Sequence, residues 1–192
     1  MRIIGGKAKG RIIQFPASSR ERPTSDFLRE ALFNLLGPLD GKTFLDLFAG
    51  SGSVGIEAAS RGAQEIILIE KDKKIAAAAQ RNIDICGFDK QCRLLVSDTG
   101  TGLRGLYRKK CIFDFVFADP PYSRGLVEET IRVLKENPVM TGESIIIIQH
   151  SVREDVLVLL EEEINLQEQR KYGDSILSFL KWSVHDTGEI HQ

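Results

Sequence analysis

The sequence predicts an α/β fold: a doubly wound, seven-stranded, mostly parallel sheet that contains one antiparallel strand. From Thr43 onward, short apolar runs alternate with helical patterns, which is typical of a parallel sheet covered by helices on both faces. Near the carboxyl end, two strand-like runs flank Gly173-Asp174, and this terminal hairpin adds the antiparallel strand. The 192 residues, of which 42% are hydrophobic, suit a single domain that buries about 70% of its unfolded surface.

Residues 1–38 precede the alternating core and are predicted to form a basic extension. Two apolar runs, Ile3-Ile4 and residues 11–15, flank a turn rich in glycine and lysine, which indicates a short β-hairpin. A polar loop and one helix follow. Residues 1–29 contain seven basic residues against two acidic ones, although the whole chain has a net charge of −1. Such a basic arm on a neutral body can contact phosphates locally.

The core, residues 43–183, divides into apolar strands and amphipathic or alanine-rich helices. Gly62 and Gly87 follow helical patterns and are expected to end them. Residues 99–110 are ambiguous and favour a loop with a short helix. The predicted strands cover residues 43–47, 65–70, 92–97, 113–118, 144–149, 166–172 and 175–182, and the predicted helices cover residues 27–36, 53–61, 72–86, 126–134 and 152–160.

The stretch Asp119-Pro120-Pro121-Tyr122 is the most informative part of the chain. It closes an apolar run, residues 113–118, that is typical of a buried strand. Two prolines cannot continue a central strand, because each lacks an N–H and has φ fixed near −65°. A carboxylate, a stiff carbonyl and an aromatic ring therefore stand at the carboxyl edge of the sheet, where open α/β sheets bind ligands. An enzyme that grips a planar base carrying an amino group could use this set directly.

A glycine-rich loop follows the first strand of the core. Gly50, Gly52 and Gly55 form a GxGxxG pattern between a strand and a helix, and Glu70 ends the next strand, twenty residues after Gly50. Glycine lets the backbone approach a ligand closely, and an acidic residue at this distance can accept hydrogen bonds from ribose hydroxyls. The pattern therefore predicts a nucleotide-containing cofactor.

The acidic residues favour one cofactor over another. NAD carries a pyrophosphate, which prefers a helix N-terminus, whereas S-adenosylmethionine carries an ammonium and a sulfonium. Asp46, Glu70, Asp98 and Asp119 each stand at the end of a predicted strand, so four carboxylates would share one edge of the sheet. Asp98 is expected to accept from the adenine amino group. Four carboxylates suit the cationic S-adenosylmethionine better than a dinucleotide.

Several classes of protein are disfavoured by composition. The three cysteines lack CxxC spacing and the three histidines are scattered, so neither a disulfide framework nor a metal site is expected. No apolar run approaches the roughly 18 residues of a membrane span, and the N-terminus lacks a segment of signal-peptide length. These observations predict a cytoplasmic protein with no membrane partner.

The motifs together resemble a known family. DLFAGSG, IEKD, Ser97-Asp98 and DPPY resemble the class I (Rossmann-like) methyltransferases that act on amino groups of bases. The opening MRIIGGKAKGR and the segment RPTSDFLREALFNLL narrow the resemblance to the bacterial RsmD family, over essentially the whole chain. The resemblance implies methylation of the exocyclic N2 of a guanine in 16S ribosomal RNA, with S-adenosylmethionine as donor and small ribosomal subunits or their assembly intermediates as substrate. One departure is Gln149-His150, where a carboxylate is expected after the fifth strand.

Motifs and resemblance together assign roles to three sets of residues. Asp119 and the Pro120 carbonyl are expected to accept the N–H bonds of the base amine, while Tyr122 stacks on an unpaired or flipped base. The expected cofactor-binding residues are Arg22, Thr24, Asp46, Phe48, Ala49, Gly50, Ser51, Gly52, Glu70, Lys71, Asp98 and Asp119. The expected substrate-binding residues are Lys7, Lys9, Arg11, Pro121 and Tyr122.

Alternatives stay open at this stage. A DNA adenine-N6 or cytosine-N4 methyltransferase shares the acceptor geometry, although the chain shows no separate target-recognition region. A protein glutamine methyltransferase usually has asparagine at the position of Asp119. In an NAD-dependent reductase, only the glycine loop would be informative and the DPPY sequence would occur by chance. A non-catalytic RNA-binding module would bind ribosomal RNA without forming a product. The target nucleotide follows from the resemblance alone.

Overall fold

Seven strands form one mixed sheet in the computed structural model, which describes residues 1–15, 25–122, 125–159 and 164–182. The strands are β1 Thr43–Asp46, β2 Glu65–Glu70, β3 Cys92–Val96, β4 Phe115–Ala118, β5 Ile145–Ser151, β6 Ile164–Tyr172 and β7 Ser175–Trp182. Their order across the sheet is β3-β2-β1-β4-β5-β7-β6. Strand β7 runs antiparallel to β5 and β6, and the other neighbouring strands are parallel. The predicted seven-stranded α/β fold is confirmed.

In the described part of the chain, five α-helices connect or precede the strands: α1 Asp26–Leu36, α2 Ser53–Ser60, α3 Lys73–Cys86, α4 Thr99–Arg108 and α5 Leu126–Glu136. Side-chain caps fix where several of them begin. The Ser25 hydroxyl accepts from the Leu28 amide at the start of α1, and the Asp72 carboxylate accepts from the amides of Lys74 and Ile75 at the start of α3. Each cap satisfies amides that have no partner within the helix.

The core is divided by the sheet into two layers. Phe44 of β1 and Phe117 of β4 pack with α1, α2 and α3 on one face. Leu45 and Val116, which neighbour them in sequence, pack with α4 and α5 on the other face. This alternation follows from the two-residue period of side chains along a strand. With both faces covered, the carboxyl edge of the parallel strands is the place where a ligand is expected to bind.

The N-terminal segment folds back on itself and docks on α2. A single bridge between Arg2 and Ile12 stands where a hairpin was predicted, with backbone bonds from the Ile3 amide to the Arg11 carbonyl (2.9 Å) and from the Ile13 amide to the Met1 carbonyl (3.0 Å). The pairing is too short to form regular strands. Residues 1–15 therefore form a tight loop with one bridge instead of the predicted hairpin.

A fully buried carboxylate anchors this segment. The two oxygens of Glu57 on α2 accept from the amides of Ile4 and Gly5, each at 2.8 Å. Arg29, which is also fully buried, lies 3.7 Å from the same carboxylate, and Arg61 donates to it at 2.8 Å. A buried charge needs such partners because it has lost its water. The network therefore joins the N-terminal segment, α1 and α2.

Helix α4 covers residues that the sequence left ambiguous. Three glycines within it, Gly100, Gly102 and Gly105, lower helix propensity, which obscured the pattern. The structure shows the reason for one of them: a Cβ on Gly102 would lie 2.6 Å from Cδ1 of Ile69 on β2. Glycine thus lets α4 approach the sheet closely, and burial of Leu103 and Leu106 compensates for the weak propensity.

The helix predicted for residues 152–160 is wrong for the described part of that range. Residues 157–159 form one short 3₁₀ turn, and a polar turn precedes it. The Asp155 carboxylate accepts from the Leu157 amide, which in a helix over this range would bond to the Arg153 carbonyl. Such local bonds compete with helix formation.

Within residues 1–15, 25–122, 125–159 and 164–182, no helix has the length and apolar character of a membrane span. Within the same ranges, no group of three or more histidine, cysteine or acidic side chains is arranged to hold a metal ion.

Candidate active site

A cleft of about 1030 Å³ opens at the carboxyl ends of β1, β2, β4 and β5. It is lined by the residues that follow these strands, by the start of α3 and by the turn between β6 and β7. The sheet brings together most of the predicted site, because parallel strands end at the same edge. The predicted residues that line the cleft are Asp46, Phe48, Ala49, Gly50, Ser51, Glu70, Lys71, Asp119, Pro120, Pro121 and Tyr122.

The glycine loop between β1 and α2 forms the floor of one end. Gly50 and Gly52 have φ values of +55° and +81°, a conformation that glycine adopts without the steric cost of a side chain. The Gly52 amide bonds to the Ala49 carbonyl at 2.7 Å, which closes the turn into the helix. Gly52 itself lies behind the lining residues and shapes the loop, while Gly50 and Ser51 line the cleft.

Glu70 fixes this loop from the neighbouring strand. Its Oε2 accepts from the Gly50 amide at 3.0 Å and its Oε1 accepts from the Asp72 amide at 2.8 Å. The side chain is almost fully buried. A carboxylate oxygen can accept more than one hydrogen bond, so a carboxylate in this place is suited to bind a ligand hydroxyl. Glu70 thus both orders the glycine loop and presents acceptors in the cleft.

Asp46 lies at the bottom of the cleft at the end of β1. Its Oδ2 accepts from the Gly55 amide at 3.2 Å, whereas its buried Oδ1 has no hydrogen-bond partner among the described residues. Burial raises the pKa of Asp46 from 3.8 to about 7, with smaller contributions from the negative charges of Asp119 and Glu70. Hydrogen bonds from the Gly55 and Phe48 amides act in the opposite direction and lower the pKa. A cationic ligand would supply both the missing contact and the missing charge.

The DPPY segment forms the opposite end of the cleft. Pro120 is buried and Asp119 is half-buried, directly after β4. Tyr122 is 40% exposed, so it is not the core aromatic that a purely structural role would require. Its hydroxyl lies 2.8 Å from Ser175 Oγ and accepts from Gln149 Nε2 at 3.4 Å. The planar aromatic ring of Tyr122 and the Asp119 carboxylate thus line the same cleft.

Asp98 is not among the residues that line the cleft, although Ser97 and Thr99 beside it are. Its exposed carboxylate caps α4 by accepting from the Thr101 amide at 2.8 Å, and this bond lowers its pKa. An aspartate before a helix is a preferred cap, which gives the residue a structural role. The adenine contact expected of Asp98 stays a prediction.

The basic side chains of Lys7, Lys9 and Arg11 are exposed and lie outside the cleft lining. Arg11 donates to the Ile85 carbonyl on α3. The segment that carries them leads to Phe15, which lines the cleft. Four uncharged residues, 12–15, therefore connect the basic side chains to the cleft. Arg22 and Thr24, predicted to bind the cofactor, lie outside the described residues.

Asn82 is a residue of the site region that the sequence analysis missed. This fully buried side chain exchanges two hydrogen bonds with the backbone of Gln14, both at 2.8 Å, and donates to the Ser51 carbonyl at 2.9 Å. It therefore ties the N-terminal segment to the glycine loop. The available signal was a polar residue on the apolar face of α3, between Ala79 and Ile83.

Comparison with known proteins identifies the family. A family model described as "Conserved hypothetical protein 95" matches residues 1–181. The ribosomal RNA small subunit methyltransferase D of Escherichia coli K12 is 39% identical over 154 residues, which cover 79% of this chain and 75% of that protein. The protein of the same name from Haemophilus influenzae is 31% identical over 174 residues, which cover 90% and 89% of the two chains.

Solved structures agree with these sequence matches. A hypothetical protein from Thermus thermophilus superimposes with a TM-score of 0.78 at 29% identity, over 94% of this chain and 99% of that one. TrmN from Thermus thermophilus has a TM-score of 0.67 at 23% identity, which supports the fold alone. The chain therefore belongs to the RsmD family of methyltransferases, the family that the model "Conserved hypothetical protein 95" describes.

Proposed function

We propose that this protein uses S-adenosylmethionine to methylate the exocyclic N2 of a guanine in 16S ribosomal RNA, within cytoplasmic small ribosomal subunits or their assembly intermediates. Family membership supports ribosomal RNA methylation with this donor. The observation that carries the finer proposal is one cleft with two ends: an acidic, glycine-lined end and the Asp119-Pro120-Pro121-Tyr122 corner.

The residues at the acidic end fit the cofactor. The unpartnered Oδ1 of Asp46 suits a cationic group, and the Glu70 carboxylate suits the ribose hydroxyls. Gly50 and Ser51 leave room for close approach of a ligand to the backbone. When bound, S-adenosylmethionine would supply a methyl group that is activated by the positively charged sulfur. Loss of the methyl group would turn this sulfonium into a neutral thioether. Phe48, Ala49 and Lys71 complete the lining at this end.

The Asp119-Pro120-Pro121-Tyr122 segment at the other end of the cleft orients the guanine amine for methyl transfer. The N2 lone pair of guanine is delocalised into the ring, so the nitrogen is a poor nucleophile. Asp119 and the Pro120 carbonyl each accept one N–H, which favours a pyramidal nitrogen whose lone pair faces the methyl carbon. After the C–N bond forms, the nitrogen loses its extra proton to Asp119 or to water. Tyr122 stacks on the base and holds it out of the RNA helix.

Cofactor affinity is expected to depend on pH through Asp46. The pKa of this carboxyl is raised from 3.8 to about 7, so the cofactor-free protein holds a proton there that the unfolded chain releases above about pH 4. The free energy of unfolding therefore falls as pH rises from about 4 to 7. A cation beside Asp46 favours the charged form, so binding expels this proton. We expect affinity about tenfold higher at pH 8 than at pH 6.

Calorimetry in two buffers of different ionisation enthalpy measures both the affinity and the proton release. Asp46→Asn, which cannot titrate, is the matched control and should bind with little pH dependence. Equal affinity of the wild-type protein at the two pH values, with no proton released, would remove Asp46 from the cation site.

The basic N-terminal loop is proposed to contact RNA phosphates. Reversing the charges of Lys7, Lys9 and Arg11 to glutamate should weaken RNA binding and flatten the slope of log affinity against log salt by about 2 to 3. The matched control reverses Arg108, Lys109 and Lys110, three exposed residues at the end of α4. Binding measured between low and moderate salt tests this. An identical slope for both triple variants would assign the loop a purely structural role.

A methyl-transfer assay with several substrates tests the function. Isotope-labelled donor is supplied with naked 16S ribosomal RNA, with small subunits or with duplex DNA, and the products are digested to nucleosides. The proposal predicts labelled N2-methylguanosine from ribosomal RNA, free or in subunits. Labelled N6-methyladenine or N4-methylcytosine from DNA would favour the DNA methyltransferase, and RNA binding without product would favour a non-catalytic module.

A further inference from the structure

We propose that Gln149 selects the target base: its side-chain Oε1 accepts the N1–H of guanine while Asp119 and the Pro120 carbonyl hold the adjacent N2 amine. The inference rests on the proposed function and names the feature of the base that the site reads. It also assigns a role to the residue at which the sequence departs from the expected carboxylate.

The sheet places Gln149 beside the DPPY corner. Ala118 of β4 pairs with Ile148 of the parallel neighbour β5. The residues that follow them, Asp119 and Gln149, are therefore also level with each other. Neighbouring strands lie about 4.8 Å apart. Side chains alternate along a strand, so Gln149 shares a face with Ile147, which packs in the same layer as Phe117. Gln149 and Asp119 both line the cleft.

The Gln149 amide is only half satisfied. Its Nε2 donates to the Tyr122 hydroxyl at 3.4 Å, and that hydroxyl lies 2.8 Å from Ser175 Oγ. This contact places the NH₂ group of the amide against Tyr122, so Oε1 is the end of the amide that does not contact the tyrosine. The side chain is 95% buried, with an exposed fraction of 5%, and Oε1 has no hydrogen-bond partner among the described residues. A buried acceptor without a donor is rare and unfavourable, so a ligand donor here is stabilising.

Guanine offers the complementary donor in the right place. Its N1–H points to the same edge as the N2 amine, so acceptors on adjacent strand ends can hold both. Adenine and cytosine present a bare ring nitrogen beside their amino groups, and that lone pair would face the lone pairs of Oε1. A buried acceptor therefore favours guanine and disfavours the bases that the DNA methyltransferase alternative requires.

A base substitution combined with a protein substitution tests this pairing. 2-Aminopurine keeps the amino group at C2 but has no N1–H. Small subunits are assembled on RNA that carries guanine or 2-aminopurine at the methylated position, and kcat/KM is measured for each. We expect the wild-type protein to prefer guanine by about 10- to 100-fold. We expect Gln149→Leu to lose most of that preference, whereas Gln149→Glu, which keeps an acceptor, retains it.

Two controls separate base selection from tyrosine positioning and from folding. Ser175→Ala removes the other partner of the Tyr122 hydroxyl and leaves Oε1 intact, so the guanine preference should persist. Cofactor affinity by calorimetry checks that each variant is folded, and Gln149→Met replaces the leucine variant if that one binds no cofactor. An unchanged guanine preference in the leucine or methionine variant overturns the inference alone. A wild-type protein that methylates no guanine would overturn the proposed function and the inference with it.

Discussion

Asp119→Ala is expected to slow methyl transfer about 100-fold or more, with little change in cofactor affinity. The variant removes one of two acceptors that stabilise developing positive charge on the amine, and loss of one such preorganised group costs about 10²–10³ in turnover. Asp119 follows β4 at the cleft, so its removal leaves the glycine loop and Glu70 in place. Single-turnover rates with saturating donor measure the effect, and calorimetry measures cofactor binding.

The other aspartate that flanks β4 gives a matched control. Asp114 lies at the opposite edge of the sheet, where it accepts from the Thr43 amide at 2.9 Å and from Lys42 Nζ at 3.0 Å. Asp114→Asn should therefore keep normal turnover per folded molecule. Asp119→Asn, which retains one neutral acceptor, should fall between wild type and the alanine variant. An Asp119→Ala protein with wild-type turnover would contradict the role assigned to this carboxylate.

Glu57→Ala should have the largest effect on stability, lowering the free energy of unfolding by about 3–5 kcal/mol. The change would leave the fully buried Arg29 guanidinium without its buried carboxylate partner on α2, so that its ion pair at 3.0 Å with the partly exposed Asp26 would remain. It would also remove the acceptor for the amides of Ile4 and Gly5. Urea denaturation followed by circular dichroism measures the shift in midpoint.

Glu136→Ala is the appropriate comparison for this prediction. Glu136 pairs with Arg132 four residues earlier on α5, and more than half of each of these side chains is exposed. Such exposed pairs contribute less than about 1 kcal/mol. If the two alanine variants unfolded at the same urea concentration, the buried network would not stabilise the fold as described.

The fold could be predicted because its signals are periodic and local. Apolar strands alternate with helical patterns, and glycine and proline mark where elements end, so the sheet and its one antiparallel strand followed from the sequence. Helix α4 could not be recognised in the sequence because it contains Gly102, which lowers helix propensity. Glycine is needed there because a Cβ would be too close to Ile69, a residue far away in the sequence. The helix expected at 152–160 was wrong in its described part, where the Asp155 side chain accepts from the Leu157 amide.

The site was predictable where function requires an unusual backbone. Two consecutive prolines and a glycine loop can be read directly, and both proved to line one cleft with Asp46 and Glu70. Polar residues that act through buried contacts could not be read in this way. No motif marks Asn82, and Gln149 stands out in the sequence only as a departure from an expected carboxylate. Tertiary packing shows that Asn82 ties the N-terminal segment to the glycine loop and that Gln149 Oε1 has no hydrogen-bond partner among the described residues.

The most direct test of the central claim is a crystal structure of the protein with S-adenosylhomocysteine. The account predicts the ribose beside the Glu70 carboxylate, the amino acid group beside Asp46, and the sulfur facing the Asp119-Pro120 corner. A ligand seated away from that corner, or an Asp119 carboxylate sealed off from the cleft in the complex, would contradict it.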